Sequence, residues 1–124
     1  NILLDKDFNP VLCDFGFAVK GKITSSTRCT PQYAAPEILK QSGTYNPICA
    51  DIWALGVTFF ATLTKNFPYS YKELSYMAIE KALARIRDDS LKKLMRSCFI
   101  FDSEKRATIK DIVKCDFFMK KKIV

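Results

Sequence analysis

Hydrophobic positions change their spacing along the chain. Two short apolar runs, at residues 2–4 and 11–13, flank a stretch rich in Asp, Asn and Pro. Turn-forming residues between two apolar runs predict a pair of β-strands. Residues 20–30 are polar, contain Gly21 and have no period, which indicates a loop.

The remainder of the chain has the spacing of helices. Residues 50–63 carry apolar side chains around the whole circumference, which predicts a central helix that is buried on all sides. Residues 91–99 follow the amphipathic pattern, with Ser90 as the expected N-cap, and Thr108 is placed to cap a last short helix. The pattern therefore predicts a mainly α-helical bundle around this central helix, preceded by a short N-terminal β-hairpin.

Composition limits the classes of function. The chain has 124 residues, of which 48% are hydrophobic and 27% charged, as expected for one small globular domain. No apolar run approaches the roughly 20 residues of a membrane helix, and no signal peptide is visible, so we expect no membrane association. Because Asn1 leads directly into an apolar strand, we expect the chain to be part of a larger domain.

The net charge of +7 is interpreted as solvated lysines, including Lys120, Lys121 and Lys122. Aromatic residues do not interleave with the Arg and Lys residues as they do in proteins that bind single strands, so we expect no nucleic-acid partner. Nothing in the sequence indicates an oligomeric state.

Cysteine spacing and the absence of histidine exclude several chemistries. The five cysteines fit neither a zinc site nor a disulfide scaffold, which predicts reduced thiols in a protein of the cytoplasm or the nucleus. Without histidine there is no Ser-His-Asp triad and no histidine metal ligand. A metal would need oxygen ligands, which favours magnesium or calcium. The cysteines are Cys13, Cys29, Cys49, Cys98 and Cys115.

Two triplets carry the candidate chemistry. Asp14-Phe15-Gly16 directly follows the second apolar run, and Ala35-Pro36-Glu37 comes 21 residues after Asp14. Phosphoryl transfer needs a carboxylate on rigid backbone that holds magnesium against phosphate oxygens, with a flexible glycine beside it. The two triplets in this order, enclosing a hydroxyl-rich loop, are typical of the activation segment of protein kinases.

With three further motifs, the chain resembles the C-terminal lobe of a eukaryotic-type protein kinase from the end of the catalytic loop onward. The motifs are Asn-Ile-Leu-Leu-Asp at residues 1–5, Asp-Ile-Trp-Ala-Leu-Gly at residues 51–56 and Lys-Arg-Ala-Thr at residues 105–108. The resemblance implies a partial kinase domain over residues 1–124 that lacks the N-terminal lobe. The parent protein would use ATP and magnesium to phosphorylate protein substrates.

The same resemblance narrows the kinase class. Residues 30–33, Thr-Pro-Gln-Tyr, resemble the substrate-docking loop of serine/threonine kinases rather than the Pro-rich pattern of tyrosine kinases. Residues 4–9 and 33–37 are similar to the testis-specific serine kinase family, which belongs to the calcium/calmodulin-dependent group.

Roles for the nucleotide and metal follow from the resemblance alone. It implies that Asn1 and Asp14 are the magnesium pair and that Leu3, Cys13 and Asp14 lie at the ATP-binding surface. The catalytic Asp would lie upstream of Asn1, so no catalytic residue is expected in these 124 residues. From its residue type alone, Cys13 is expected to be a small buried hydrophobic side chain, and a reactive thiol is the alternative.

Further roles are likewise implied only by the resemblance. Glu37 and Arg106 would form a buried ion pair, and Asp51 would hold the backbone of the catalytic loop. Because Asp51 falls on a helix predicted to be buried, its charge is also expected to need a partner. The remaining implied roles are substrate docking by Thr30, Pro31 and Tyr33, phosphorylation by an upstream kinase at Ser26 or else Thr27, and structural roles for Phe15 and Gly16.

Several features depart from the family pattern. Cys29 replaces the glycine usual before the docking Thr, residues 115–118 replace the customary His-Pro-Trp-Phe, and residues 69–90 are fewer than the family carries there. The Gly-rich loop, the strand Lys and the helix Glu are absent from these residues, so the chain alone is expected to be inactive. Two alternatives stay open: a non-catalytic binding module that presents the docking surface, and a pseudokinase parent.

Overall fold

The computed structural model describes residues 1–41 and 43–120, so Lys121 and Lys122 of the basic run lie outside the described residues. Its elements are mostly helical, with one small antiparallel sheet, as the sequence predicted. They are β1 (Ile2–Leu4), β2 (Pro10–Leu12), α1 (Pro36–Leu39), α2 (Pro47–Thr64), α3 (Tyr76–Leu83), α4 (Asp89–Cys98), α5 (Ile109–Val113) and α6 (Asp116–Lys120), with 3-10 turns at Pro31–Tyr33 and Tyr71–Glu73.

The side chain of Asp5 stabilises the connection between the two strands of the N-terminal hairpin. Strands β1 and β2 pair antiparallel, with Leu3 opposite Val11. The Asp5 carboxylate accepts hydrogen bonds from the backbone N–H groups of Asp7 at 2.8 Å and Asn9 at 2.9 Å. The Asn9 side chain donates a further bond, and these bonds to the ionised form lower the pKa of Asp5. The carboxylate of Asp5 therefore stabilises the turn between β1 and β2.

Helix α2 begins earlier than the pattern predicted, at Pro47. The side chain of Asn46 accepts the N–H of Ile48 at 2.9 Å, and a proline in the first turn loses no intrahelical bond. The helix ends at Thr64, where Lys65 takes the left-handed conformation with a φ of 58°. The pattern did not predict the start of α2 because Asn46 and Pro47 are residue types that are common in loops.

Only one face of α2 is buried, so the prediction of a helix buried on all sides is wrong. Trp53, Val57 and Phe60 are fully buried, whereas Ile48 is 56% and Leu63 54% exposed. The buried face packs mainly against α4. Apolar periodicity cannot tell a helix with an open apolar face from one that is enclosed.

Helix α2 also reaches a length that the sequence analysis did not anticipate. With 18 residues and a mean hydropathy of 1.4, it is long and apolar enough to cross a membrane by length and composition. A core helix has the same properties, and 33% of α2 is buried in the fold. Its packing against α4 makes it the core helix of the described residues.

Gly56 allows α2 and α4 to approach closely. A Cβ atom at this position would lie 2.8 Å from the Cβ of Cys98 and 3.1 Å from the ring of Phe99. Both neighbours are buried, so neither has room to move away. The glycine of the Asp-Ile-Trp-Ala-Leu-Gly motif is therefore a packing requirement.

Caps define the C-terminal helices. Asp88, not Ser90, caps α4: its carboxylate accepts the N–H of Leu91 at 3.0 Å, and Ser90 lies inside the first turn. Thr108 caps α5 as predicted, in a reciprocal capping box with Asp111. Helix α5 is followed by α6, so it is not the last helix.

We predict that Gly56→Ala destabilises the protein. The added methyl group would overpack the α2–α4 contact, which should lower the free energy of unfolding by about 1–3 kcal/mol in urea denaturation. Thr62→Ala, on the exposed side of the same helix, is the control and should change stability by less than about 0.5 kcal/mol. Equal stability of Gly56→Ala and wild type would contradict the close contact.

Candidate catalytic and substrate-docking site

The hairpin brings Asn1 and Asp14 to the same end. Beyond the paired strands, the N–H of Cys13 donates to the carbonyl of Asn1 at 3.0 Å, so Asp14 follows the residue that faces Asn1. One carboxylate and one amide oxygen are ligands that suit magnesium. Within residues 1–41 and 43–120, no group of three or more Cys, Asp or Glu residues is arranged to hold a metal by itself. Further ligands would have to come from phosphates or water.

Asp14 is held in an unusual backbone conformation, with a φ of 63°. Its Oδ1 accepts the N–H of Gly16 at 3.2 Å, and a Cβ at position 16 would lie 3.2 Å from the same oxygen. Gly16 therefore gives the carboxylate room beside its own loop. Phe15, for which a structural role is predicted, is 69% exposed and buries little surface in the described residues.

Leu3 and Cys13 share a face of the hairpin with Asn1. Cross-strand partners in an antiparallel pair point to the same side, and side chains alternate along each strand. The register of Leu3 with Val11 and of Asn1 with Cys13 therefore aligns these four residues. Leu3 is 58% exposed and Cys13 is half-buried, so this apolar face is open and Cys13 is not the buried side chain that was expected.

Residues 30–33 form a compact turn, called the docking turn below after its predicted role. The N–H of Tyr33 donates to the carbonyl of Thr30 at 2.9 Å, which closes one turn of 3-10 helix. The ring of Tyr33 packs edge-on against Phe67, with centroids 5.5 Å apart. Thr30 and Pro31 are exposed, so this turn presents its first two residues to solvent.

Gln32 ties the docking turn to the segment after α2, a contact that the sequence analysis missed. Its amide nitrogen donates to the carbonyl of Tyr69, and its amide oxygen accepts the N–H of Tyr71 at 3.4 Å. Tyr69 is buried, and its hydroxyl accepts the indole N–H of Trp53 at 2.7 Å. Burial raises the pKa of Tyr69 to about 12, so this hydroxyl stays neutral. The docking turn is thus joined to the core.

The expected ion pair between Glu37 and Arg106 is present. Two guanidinium nitrogens of Arg106 reach the two carboxylate oxygens of Glu37 at 2.7 and 2.9 Å, a bidentate arrangement. Arg106 also donates to the carbonyls of Cys49 and Ile100, and its guanidinium lies 5.2 Å from the ring centre of Trp53. The Arg106 side chain has no exposed surface, and that of Glu37 is 15% exposed.

Asp51 is exposed, so the burial that the helix pattern predicted for it is wrong, whereas its expected role of holding the backbone of the catalytic loop stays a prediction. It lies in the first turns of α2 with its side chain exposed, and it makes no hydrogen bond or ion pair with another described residue. It lines a half-open cavity of about 320 Å³ together with Cys29, Thr30 and Tyr45. Partial desolvation at this wall raises the pKa of Asp51, and burial likewise raises the pKa of the Cys29 thiol.

The two predicted phosphorylation residues have different surroundings. Thr27 is exposed, whereas Ser26 is half-buried and its hydroxyl accepts the N–H of Arg28 at 3.5 Å. The stretch that contains both residues is anchored by Tyr45. That residue pairs with Thr24 in an isolated antiparallel bridge. No local pattern in the sequence joins two residues so far apart.

These features agree with the comparison against known families. Residues 1–118 match the family described as the protein kinase domain. The chain belongs to the protein kinase family, whose members are transferases.

Similar proteins are serine/threonine kinases from several kingdoms. The chain is 34% identical to the serine/threonine-protein kinase SRK2B of Arabidopsis thaliana, across 97% of the chain and 37% of that protein. It is 38% identical to testis-specific serine/threonine-protein kinase 2 of Mus musculus, across 79% of the chain and 29% of that protein. It is 33% identical to the serine/threonine-protein kinase KIC1 of Saccharomyces cerevisiae, across 94% of the chain and 12% of that protein.

The chain therefore spans little more than a third of the length of SRK2B and less of the other two. The alignment with SRK2B extends over 137 positions, which exceeds the 124 residues of the chain. The relative thus carries residues within the aligned region that this chain lacks.

We predict that Arg106→Leu lowers the free energy of unfolding by about 3–5 kcal/mol, because the Glu37 carboxylate would be left largely buried without its partner. The matched control is Arg96→Leu, which removes an ion pair of equal 2.7 Å length with Glu80 on the surface. That exposed pair should contribute less than about 1 kcal/mol. Similar losses for both variants in urea denaturation would contradict the special role of Arg106.

Proposed function

We propose that these residues are the activation segment and C-terminal lobe of a serine/threonine protein kinase that transfers the γ-phosphate of ATP to Ser or Thr of protein substrates. The observation that carries the proposal is the hairpin, in which the N–H of Cys13, the residue before Asp14, is hydrogen-bonded to the carbonyl of Asn1. The bidentate pair of Glu37 and Arg106 supports it, because that pair fixes the end of the same segment to the helical core.

In this proposal Asn1 and Asp14 hold magnesium through their oxygen atoms. When bound, the metal would neutralise charge on the phosphate oxygens of ATP. Leu3 and Cys13, which share the open face of the hairpin with Asn1, would contact the nucleotide through apolar surface. The share of these residues in the reaction is to bind and to orient, since the residue that accepts the proton of the substrate hydroxyl would lie upstream of Asn1.

Protein substrates would bind at the docking turn. Thr30 and Pro31 are exposed there, while Tyr33 is held by Phe67. A turn that is fixed from behind and open in front can place a peptide with little loss of conformational entropy.

Regulation would act on residues 17–28, the segment before the docking turn. We propose phosphorylation by an upstream kinase at Ser26 or Thr27, and the exposure of Thr27 makes its hydroxyl the more accessible of the two. Within the part of the chain that the structure describes, Lys20, Lys22 and Arg28 form no ion pair, so they are available to a phosphate. We further propose a cytoplasmic or nuclear protein of the testis-specific serine kinase family.

A second candidate is a non-catalytic binding module. It is favoured by one observation: the docking turn is joined to the core through Gln32 and Tyr69, contacts that involve neither Asn1 nor Asp14. A pseudokinase parent would share this surface. The identity of the residue expected five positions before Asn1 separates the candidates, because an active kinase needs Asp there.

We predict that Asp14→Asn in the full-length kinase lowers turnover by at least about 100-fold, because one negative charge that faces a divalent cation is lost. Folding should be little changed, since the Asp14 side chain is exposed. Asp7→Asn is the matched control: Asp7 is also exposed in the hairpin region, and its carboxylate accepts no hydrogen bond within the described residues. Near-normal turnover of Asp14→Asn at saturating magnesium would refute the assignment.

We also predict that the 124 residues by themselves transfer no phosphate. They lack the groups that cover ATP and that accept the proton of the substrate hydroxyl, and positioning supplies most of the catalysis in this reaction class. The purified chain is incubated with labelled ATP, magnesium and a Ser/Thr peptide library, beside a mock purification. Magnesium-dependent transfer above the mock level would overturn this prediction.

A further inference from the structure

Three hydrogen bonds connect Tyr45 to the segment that precedes the docking turn. The N–H of Thr24 donates to the carbonyl of Tyr45 at 3.0 Å, and the N–H of Tyr45 donates back to the carbonyl of Thr24 at 2.9 Å. The hydroxyl of Tyr45 then donates to the carbonyl of Ser26 at 2.6 Å. Backbone and side chain of one residue therefore hold two points of the segment.

The rest of this segment has few contacts with the body of the protein. Phe17 is 58% and Ile23 69% exposed. The other hydrogen bonds described for residues 18–28 are local, such as the one from the Ser26 N–H to the Thr24 hydroxyl at 3.1 Å. Among the described residues no ion pair involves the segment. Tyr45 is thus the main anchor between the hairpin and the docking turn.

Tyr45 is itself held firmly. It is half-buried, packs against the core cluster and immediately precedes Asn46, the cap of α2. Desolvation raises the pKa of its phenol, so the hydroxyl remains a hydrogen-bond donor at neutral pH. A segment bound to such a residue is restrained before any modification occurs.

We propose that Tyr45 is a positioning residue that keeps the segment before the docking turn in place without phosphorylation, so that the unmodified protein can already bind its protein substrate. This inference rests on the proposed kinase function. Thr27 lies just beyond the last bonded residue, Ser26, and its exposed hydroxyl is not part of the anchor. A phosphate at Thr27 would therefore add to the restraint that Tyr45 supplies and would not replace it.

The first test needs no kinase activity. Amide hydrogen exchange is measured on the phosphatase-treated full-length protein, as wild type, Tyr45→Phe and Tyr76→Phe. Tyr45→Phe removes one hydroxyl and keeps the ring, and one lost hydrogen bond should raise local opening of residues 24–28 by about 2- to 10-fold. Tyr76 is 68% exposed on α3 and far from the segment in sequence, so Tyr76→Phe should match wild type. Unchanged exchange at residues 24–28 in Tyr45→Phe would overturn the inference.

The second test measures peptide phosphorylation by the same proteins. If the segment positions the docking turn, Tyr45→Phe should raise the KM for the peptide by about 2- to 10-fold and leave the KM for ATP unchanged. If Tyr45 had a purely structural role, Tyr45→Phe would change the KM for the peptide and the KM for ATP alike. An unchanged KM for the peptide would contradict a positioning role.

The two tests separate the inference from the function on which it rests. Faster exchange in Tyr45→Phe, together with no phosphate transfer by any of the three proteins either before or after phosphatase treatment, would reject the proposed kinase function and support the anchoring by Tyr45. Phosphate transfer by all three, with equal exchange and equal peptide KM, would support the kinase function and reject the anchor.

Discussion

The guanidinium of Arg106 has no exposed surface, and its neighbours are arranged around its charge. It donates four hydrogen bonds, two of them to Glu37 and one each to the carbonyls of Cys49 and Ile100. A buried pair of this kind adds little net stability over well-packed apolar residues, but any arrangement that separates its partners leaves a buried charge unpaired. Arg106 therefore acts chiefly by excluding other packings of the three segments that it joins.

That constraint reaches the candidate site through short connections. Glu37 lies in α1, directly after Ala34, Ala35 and Pro36, which are buried, and the docking turn comes immediately before them. The turn is thus held by the ion pair on its C-terminal side and by Tyr45 on its N-terminal side. The hairpin with Asn1 and Asp14 is fixed differently, by its own strand pairing and by the bonds that close its connection through Asp5. Two separately stabilised units carry the proposed metal pair and the docking surface.

Much of this could be predicted because the signals are local. The hairpin and the capping Thr108 each depend on a few neighbouring residues, whereas the pairing of Glu37 with Arg106 was implied only by the resemblance to protein kinases. The predictions failed where tertiary packing decides. The exposure of Asp51 and of one face of α2 depends on what covers that helix, and the contacts of Gln32 and Tyr45 join residues that are distant in sequence. The roles assigned to the site residues remain predictions.

Tyr69 has a property that neither the core nor the docking surface has alone. Its hydroxyl is bonded to Trp53 in the centre of the protein, and its carbonyl receives the Gln32 side chain of the docking turn. A change in the core that shifts this residue also shifts the turn. In a genetic screen, alleles altered at Trp53 would then resemble alleles altered in the docking turn, although the altered residue lies in the core. Temperature-sensitive alleles of this kind would carry the substitution in the core, and the docking turn would be the part that loses its position.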